Sequence, residues 1–136
     1  MKLPPQREQV VSSSQTLTIQ GEFCAPGIQG NKLKLKKPKW YVFTIRKNGE
    51  RVGLYEMRSV CTELHLTHVP VEEIDKNLPE KYPDVGALLE RAEGKYPYGG
   101  WKEGIVVRPC EPCKSKITGE YLSIKIVNNK YLLKNN

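Results

Sequence analysis

Two charged residues stand where β-strands are ordinarily apolar. Glu103 opens the run Gly104-Ile-Val-Val-Arg108, and Lys125 sits in the middle of Ser123-Ile-Lys125-Ile-Val127. Each imposes a desolvation cost that a purely structural strand avoids. An acid and a lysine held on strands suit a charged ligand between them. Alternation sharpens this: Leu122, Ile124 and Ile126 share one face of the last strand, so Ser123 and Lys125 share the other. One face is expected to be core and the other chemical. A third charged candidate, Glu22, ends an alternating stretch in which Leu17 and Ile19 point one way and Thr18, Gln20 and Glu22 the other. Gly21, Pro26, Gly27 and Gly30 surround it and let the backbone approach a ligand closely.

The elements that must position these groups follow from local pattern. Residues 1–14, with Pro4, Pro5 and Ser12-Ser13-Ser14, read as a flexible lead-in. Lys32, Lys34 and Lys36 share one face of an extended segment, either a solvated face or an edge that tracks phosphates. Trp40 to Ile45 is an aromatic and β-branched strand running to an Asn48-Gly49 turn, with Arg51 to Met57 as its hairpin partner. A helix is expected from Val71 to Lys76, and a second from Val85 to Glu93 behind an Asp84 N-cap and before Gly94. Strands then cover about Gly104 to Arg108 and Tyr121 to Val127, joined by a cysteine-bearing turn. The fold class is α+β, with antiparallel sheets flanked by short helices.

Composition bounds the partners. At 136 residues, 38% hydrophobic and 27% charged, the chain supports one domain with a modest core. Its 22 Lys and Arg against 15 Asp and Glu give a net charge of +7, which favours an anionic partner. No apolar run is long enough to span a bilayer and no signal-peptide core is present, so an intracellular, cytoplasmic location with reduced cysteines is expected. Cys110 and Cys113 form one Cys-x-x-Cys, and Cys61 precedes His65 and His68. That is a weak zinc pattern, because a second well-spaced ligand pair is lacking.

Four segments occur in the order found in the covalent nucleotidyltransferases, the superfamily of ATP-dependent RNA and DNA ligases and mRNA capping enzymes. Gln20-Gly-Glu22-Phe-Cys-Ala-Pro-Gly27-Ile-Gln29-Gly-Asn31 resembles the third motif of the RNA-repairing ligases, and Tyr41-Val-Phe43-Thr-Ile45 the aromatic strand after it. Glu103 to Arg108 resembles the fourth motif, and Ser123-Ile-Lys125 with its Asn-Asn-Lys-Tyr-Leu-Leu tail the fifth. The resemblance implies the ligase and capping-enzyme nucleotidyltransferase (ATP-grasp-like) fold over residues 15–136, with ATP, magnesium or manganese, and nicked or broken RNA ends as its ligands. By the same resemblance Lys125 contacts the α-phosphate, Glu103 holds a divalent metal or orients the attacking lysine, and Glu22 accepts hydrogen bonds from the ribose hydroxyls. Phe43 stacks on adenine, a role suited to a flat apolar ring, and Gln29 belongs to the same pocket. Taken singly, Glu22 and Lys125 read as exposed strand residues and Phe43 as a core aromatic.

The sequence departs from the family pattern in three places. The nucleophilic lysine of a Lys-x-Asp-Gly motif, upstream of the third motif in the family, occurs nowhere in the 136 residues. Thr44 stands where an Asp usually follows the aromatic residue, and Val127 where many members carry a second lysine. The chain is therefore expected to be the C-terminal part of an adenylation domain, truncated or half of a split enzyme, with an N-terminal fragment or second chain supplying the lysine. The alternative is a non-catalytic, basic nucleic-acid-binding module on the same scaffold, favoured by the lysines between Lys32 and Lys39.

Overall fold

The computed structural model describes residues 15–28 and 30–135, so the lead-in expected over 1–14 lies outside the described residues. A four-stranded sheet is centred on β2 (Lys39–Lys47). β1 (Leu17–Cys24) pairs antiparallel along its length, from Leu17 opposite Lys47 to Cys24 opposite Lys39. On the other side lie β3 (Glu50–Arg51), antiparallel, and β4 (Thr67–His68), which runs parallel to β2 at Tyr41 and Val42. The Asn48-Gly49 turn forms as expected, both residues having positive φ (51° and 80°) as a two-residue hairpin of this hand requires. The hairpin is much shorter than the sequence predicts. α1 (Leu54–Glu63) begins three residues after β3, because Leu54, Met57, Val60 and Cys61 recur at helical spacing and bury Met57, Val60 and Cys61 against the sheet.

The pairing of β1 with β2 slips by one residue: Gln20 faces Thr44 but Gly21 faces Val42, leaving Phe43 as the extra residue. This bulge lets Val42 and Ile45, three apart, both enter the core with Met57, Val60 and Cys61. Phe43 and Thr44 stay outside that core cluster.

Residues 71–76 do not form the expected helix. They run as an irregular strap whose Glu72 and Glu73 are held by Arg91, Lys102 and Lys81. These ion pairs take the place of the helical ladder. α2 (Leu78–Lys81) and α3 (Val85–Ala92) follow, and the Asp84 carboxylate accepts from the Ala87 amide at 2.8 Å as an N-cap should. The lysine-rich segment is likewise not extended. Asn31 and Lys34 take positive φ (47° and 50°), which turns Lys32 inward and leaves Lys34 and Lys36 exposed.

β5 (Gly104–Val107) and β6 (Ile124–Val127) form a second, antiparallel sheet, followed by α4 (Asn129–Asn135). The predicted core face of β6 is core only at Ile126, which is 7% exposed. Ile124 is 57% exposed and Leu122 44%, because the packing helix α3 covers only part of this sheet. The two sheets are tied together by backbone and side chain: Leu54 N–H donates to the Cys110 carbonyl (2.9 Å), Arg51 N–H to the Tyr121 hydroxyl (3.1 Å) and Arg108 Nη1 to the Phe43 carbonyl (2.6 Å). No described helix is long and apolar enough to cross a membrane.

Candidate functional site

Glu103 and Lys125 meet. Lys125 Nζ donates to Glu103 Oε1 at 2.9 Å, with the side chains 59% and 50% exposed respectively. The hydrogen bond it donates to Glu103, and then the charge of Glu103, raise the Lys125 pKa from its ordinary value, with Glu22 adding in the same sense. The lysine is therefore fully protonated at neutral pH. Gly104 makes this geometry possible: a Cβ there would stand 2.0 Å from the Ile126 carbonyl oxygen, so only glycine lets β5 approach β6 directly after Glu103.

Glu22 comes from the other sheet. It pairs opposite Tyr41 on β1, just after the bulge, and Gly21 beside it has no room for a Cβ, which would lie 2.3 Å from the Trp40 indole nitrogen. Glu22 and Glu103 line one cavity of about 360 Å³, with Ile28, Lys32, Tyr41 and Tyr96 among its walls. Burial first, and then the charges of Glu103 and Glu22, push the Tyr96 phenol up, so that it remains a proton donor. Two carboxylates at the edge of a cavity suit a magnesium-type cation, which takes one or two carboxylates and completes its shell with phosphates and water. Among the described residues no cluster of three His, Cys, Asp or Glu side chains gathers to cage a metal without such help. Cys61 is buried in the hydrophobic core, and Cys113 is exposed.

The structure does not bring every predicted site residue together. Phe43 is 37% exposed at the β2 bulge and is not part of the cavity wall. Gln29 lies outside the described residues. Thr44, in the place of the family's Asp, is buried and accepts from Arg108 Nη1 at 3.1 Å.

Several contributors lie in segments that the sequence singles out without giving these residues a role. Asn128, fully buried, donates to the Lys102 carbonyl (2.9 Å), accepts from the Lys130 amide (3.0 Å) and sends its own amide to the Glu103 carbonyl (2.8 Å). It clamps the Glu103 backbone to the start of α4. Lys32 reaches across to Tyr131, its ammonium 4.2 Å from the ring centroid and hydrogen-bonded to the hydroxyl.

Antiparallel sheets with a few short helices, and a lysine–carboxylate pair at a cavity shared by both sheets, define a nucleotidyltransferase-type domain. The chain belongs to the RNA ligase family, whose model, described as RNA ligase, matches residues 2–127. Among solved structures it is similar to Naegleria gruberi RNA ligase with pyrophosphate, at 25% identity and a TM-score of 0.69. Mutants of that ligase with AMP and manganese, and with ATP and manganese, also match at 25% identity, each with a TM-score of 0.70. These matches cover 95% of this chain and 37% of the Naegleria chain, so the chain spans well under half of that ligase. The search of curated proteins gave no match.

Proposed function

We propose that this chain forms the nucleotide- and metal-binding part of an ATP-dependent RNA ligase adenylation domain, acting inside the cell to join RNA 5′-phosphate and 3′-hydroxyl ends. The observation that carries this reading is the Lys125–Glu103 pair at 2.9 Å, at the edge of a cavity that Glu22 also lines. Phosphoryl transfer needs fixed cations around one phosphorus, since positioning and electrostatics supply most of its catalysis. Lys125 supplies such a cation, and its raised pKa keeps it charged. Glu103 would hold a divalent cation that neutralises phosphate charge when bound, and Glu22 would accept from ribose hydroxyls. Phe43, at the bulge beside the cavity, would stack on the base, and Gln29 would belong to the nucleotide pocket. The lysine that carries the adenylate is supplied from outside the 136 residues, where no Lys-x-Asp-Gly occurs.

The experiment is a thermal-shift titration with ATP and Mg²⁺ or Mn²⁺. Metal-dependent stabilisation of the wild-type chain that is lost in Lys125→Ala is expected, since a ligand that binds only the folded state raises its stability. The second reading, a basic RNA-binding module without nucleotide chemistry, draws on the +7 net charge. It predicts strongly salt-dependent RNA binding, no stabilisation by ATP and no effect of Lys125→Ala.

A further inference from the structure

β2 and β3 place Arg46 directly opposite Arg51, and like charges at that position repel. Arg108, just past the end of β5, is a third member: burial first, and then the charges of Arg51 and Arg46, pull its pKa down from the ordinary value. The polar partners of this group are neutral. Arg46 Nη1 donates to Gln20 Oε1 at 2.8 Å, Arg108 Nη1 to the Phe43 carbonyl and the Thr44 hydroxyl, and Arg108 Nε to Ser123 Oγ at 3.1 Å. Arg51 lies over the Tyr121 ring, 4.9 Å from its centroid, and its Nε and Nη1 are buried with no hydrogen-bond partner among the described residues. No carboxylate of the described residues pairs with any of the three, whereas Arg91, which holds the 71–76 strap, has two.

Buried guanidinium N–H groups left without an acceptor, as at Arg51 Nε and Nη1, cost the fold free energy, and so does packing a second and third guanidinium beside them. Hydrogen bonds from Arg108 tie the two sheets, but no carboxylate offsets the repulsion among the three guanidinium groups, and an anion would. Guanidinium forks match the oxygens of a phosphate in pairs. We infer that Arg46, Arg51 and Arg108 form a second anion site, which takes a phosphate oxyanion supplied by the backbone of an RNA strand. Arg108 stands two residues along the chain from Val106, which pairs with Lys125, about 7 Å of extended chain, so the cluster adjoins the pocket at Lys125. A strand running from that pocket along β5 delivers a later phosphate to the arginines. The choice of RNA rests on the ligase reading above; the anion site itself rests only on the arginine geometry.

The test uses the full chain and the variants Arg46→Gln, Arg46→Lys and Arg51→Gln. A fluorescent 5′-phosphorylated single-stranded RNA is titrated by anisotropy over a salt series, with melting points read in inorganic phosphate and in chloride at equal ionic strength. Losing one phosphate contact should lower the magnitude of the log K against log salt slope by about 0.7. Arg46→Gln is expected to show that loss, with a melting point in chloride equal to or above wild type because repulsion is relieved, and with ATP stabilisation kept. Arg46→Lys should recover part of the slope. RNA binding and slope unchanged in both glutamine variants overturns the inference, as does a lowered melting point with RNA binding intact, which marks a structural role. Arginine-dependent stabilisation by inorganic phosphate without RNA binding overturns the RNA source in favour of a free anion. Arginine-dependent RNA binding by a chain that ATP does not stabilise supports this site while sinking the nucleotide reading alone.

Discussion

Each of the two carboxylates of the candidate site has a glycine as its chain neighbour, and in both cases the glycine's missing side chain sets where the acid goes. Gly104 packs onto the Ile126 carbonyl, 2.0 Å from where a Cβ would stand, and Gly21 onto Trp40 and the Tyr41 carbonyl. The obstacle at Gly104 is backbone, which cannot swing aside. Gly104→Ala must therefore part β5 from β6 and carry Glu103 away from Lys125. We expect a loss of about 1–3 kcal/mol in denaturant unfolding, the range for overpacking a close contact. The metal-dependent ATP stabilisation should be lost as well, even at temperatures where the variant is folded. An Ala variant that melts and binds like wild type would show that the close approach is not needed.

At the scale of elements, what was legible depended on whether the pattern was local. The Asn48-Gly49 turn, the Asp84 cap and β5 are specified by neighbouring residues and form as expected, while β6 forms only over Ile124–Val127 of the expected Tyr121 to Val127. α1 was missed because Arg51 to Leu54 continues the β-like alternation, although Met57, Val60 and Cys61 already carry the helical spacing. The 71–76 strap was misread because its order comes from partners far along the chain, and no window contains them. Glu73 makes that dependence measurable. Hydrogen bonds from Lys81 and Tyr82, with Arg91 behind them, hold its carboxyl down from the ordinary 4.5 to about 2. A depressed folded value means that this contribution is fully present above about pH 4.5 and is lost as the pH falls towards 2. Glu72 shifts the same way: burial raises its pKa, but Lys102 and Arg91 outweigh the burial. The melting temperature should therefore decline between pH 4.5 and 2, and Glu73→Gln should flatten that decline while lowering the plateau above it. An unchanged profile would mean that the strap is held without these pairs.

At the scale of the whole molecule, the site is assembled from both sheets, Glu22 from the larger and Glu103 with Lys125 from the smaller, and its chemistry is that of a receptor for charge. A lysine attacks phosphorus only as the free amine. Lys125 donates to Glu103 and has a raised pKa, so it is held as the ammonium, a form that does not attack phosphorus. Lys32, the lysine on the cavity wall, is engaged with Tyr131. The RNA ligase family match covers residues 2–127, yet no Lys-x-Asp-Gly lies within it. Incubating the chain with ATP labelled at the α-phosphate and Mg²⁺ or Mn²⁺ should thus leave no alkali-stable, acid-labile, lysine-linked AMP on the protein, while the same mixture shows thermal stabilisation. Adding a polypeptide that contains the family's lysine motif should place the label on that polypeptide, and Lys125→Ala in this chain should abolish the transfer. A labelled Lys125 or Lys32 on the chain alone would overturn the division of labour, because one of these cations would then be the nucleophile.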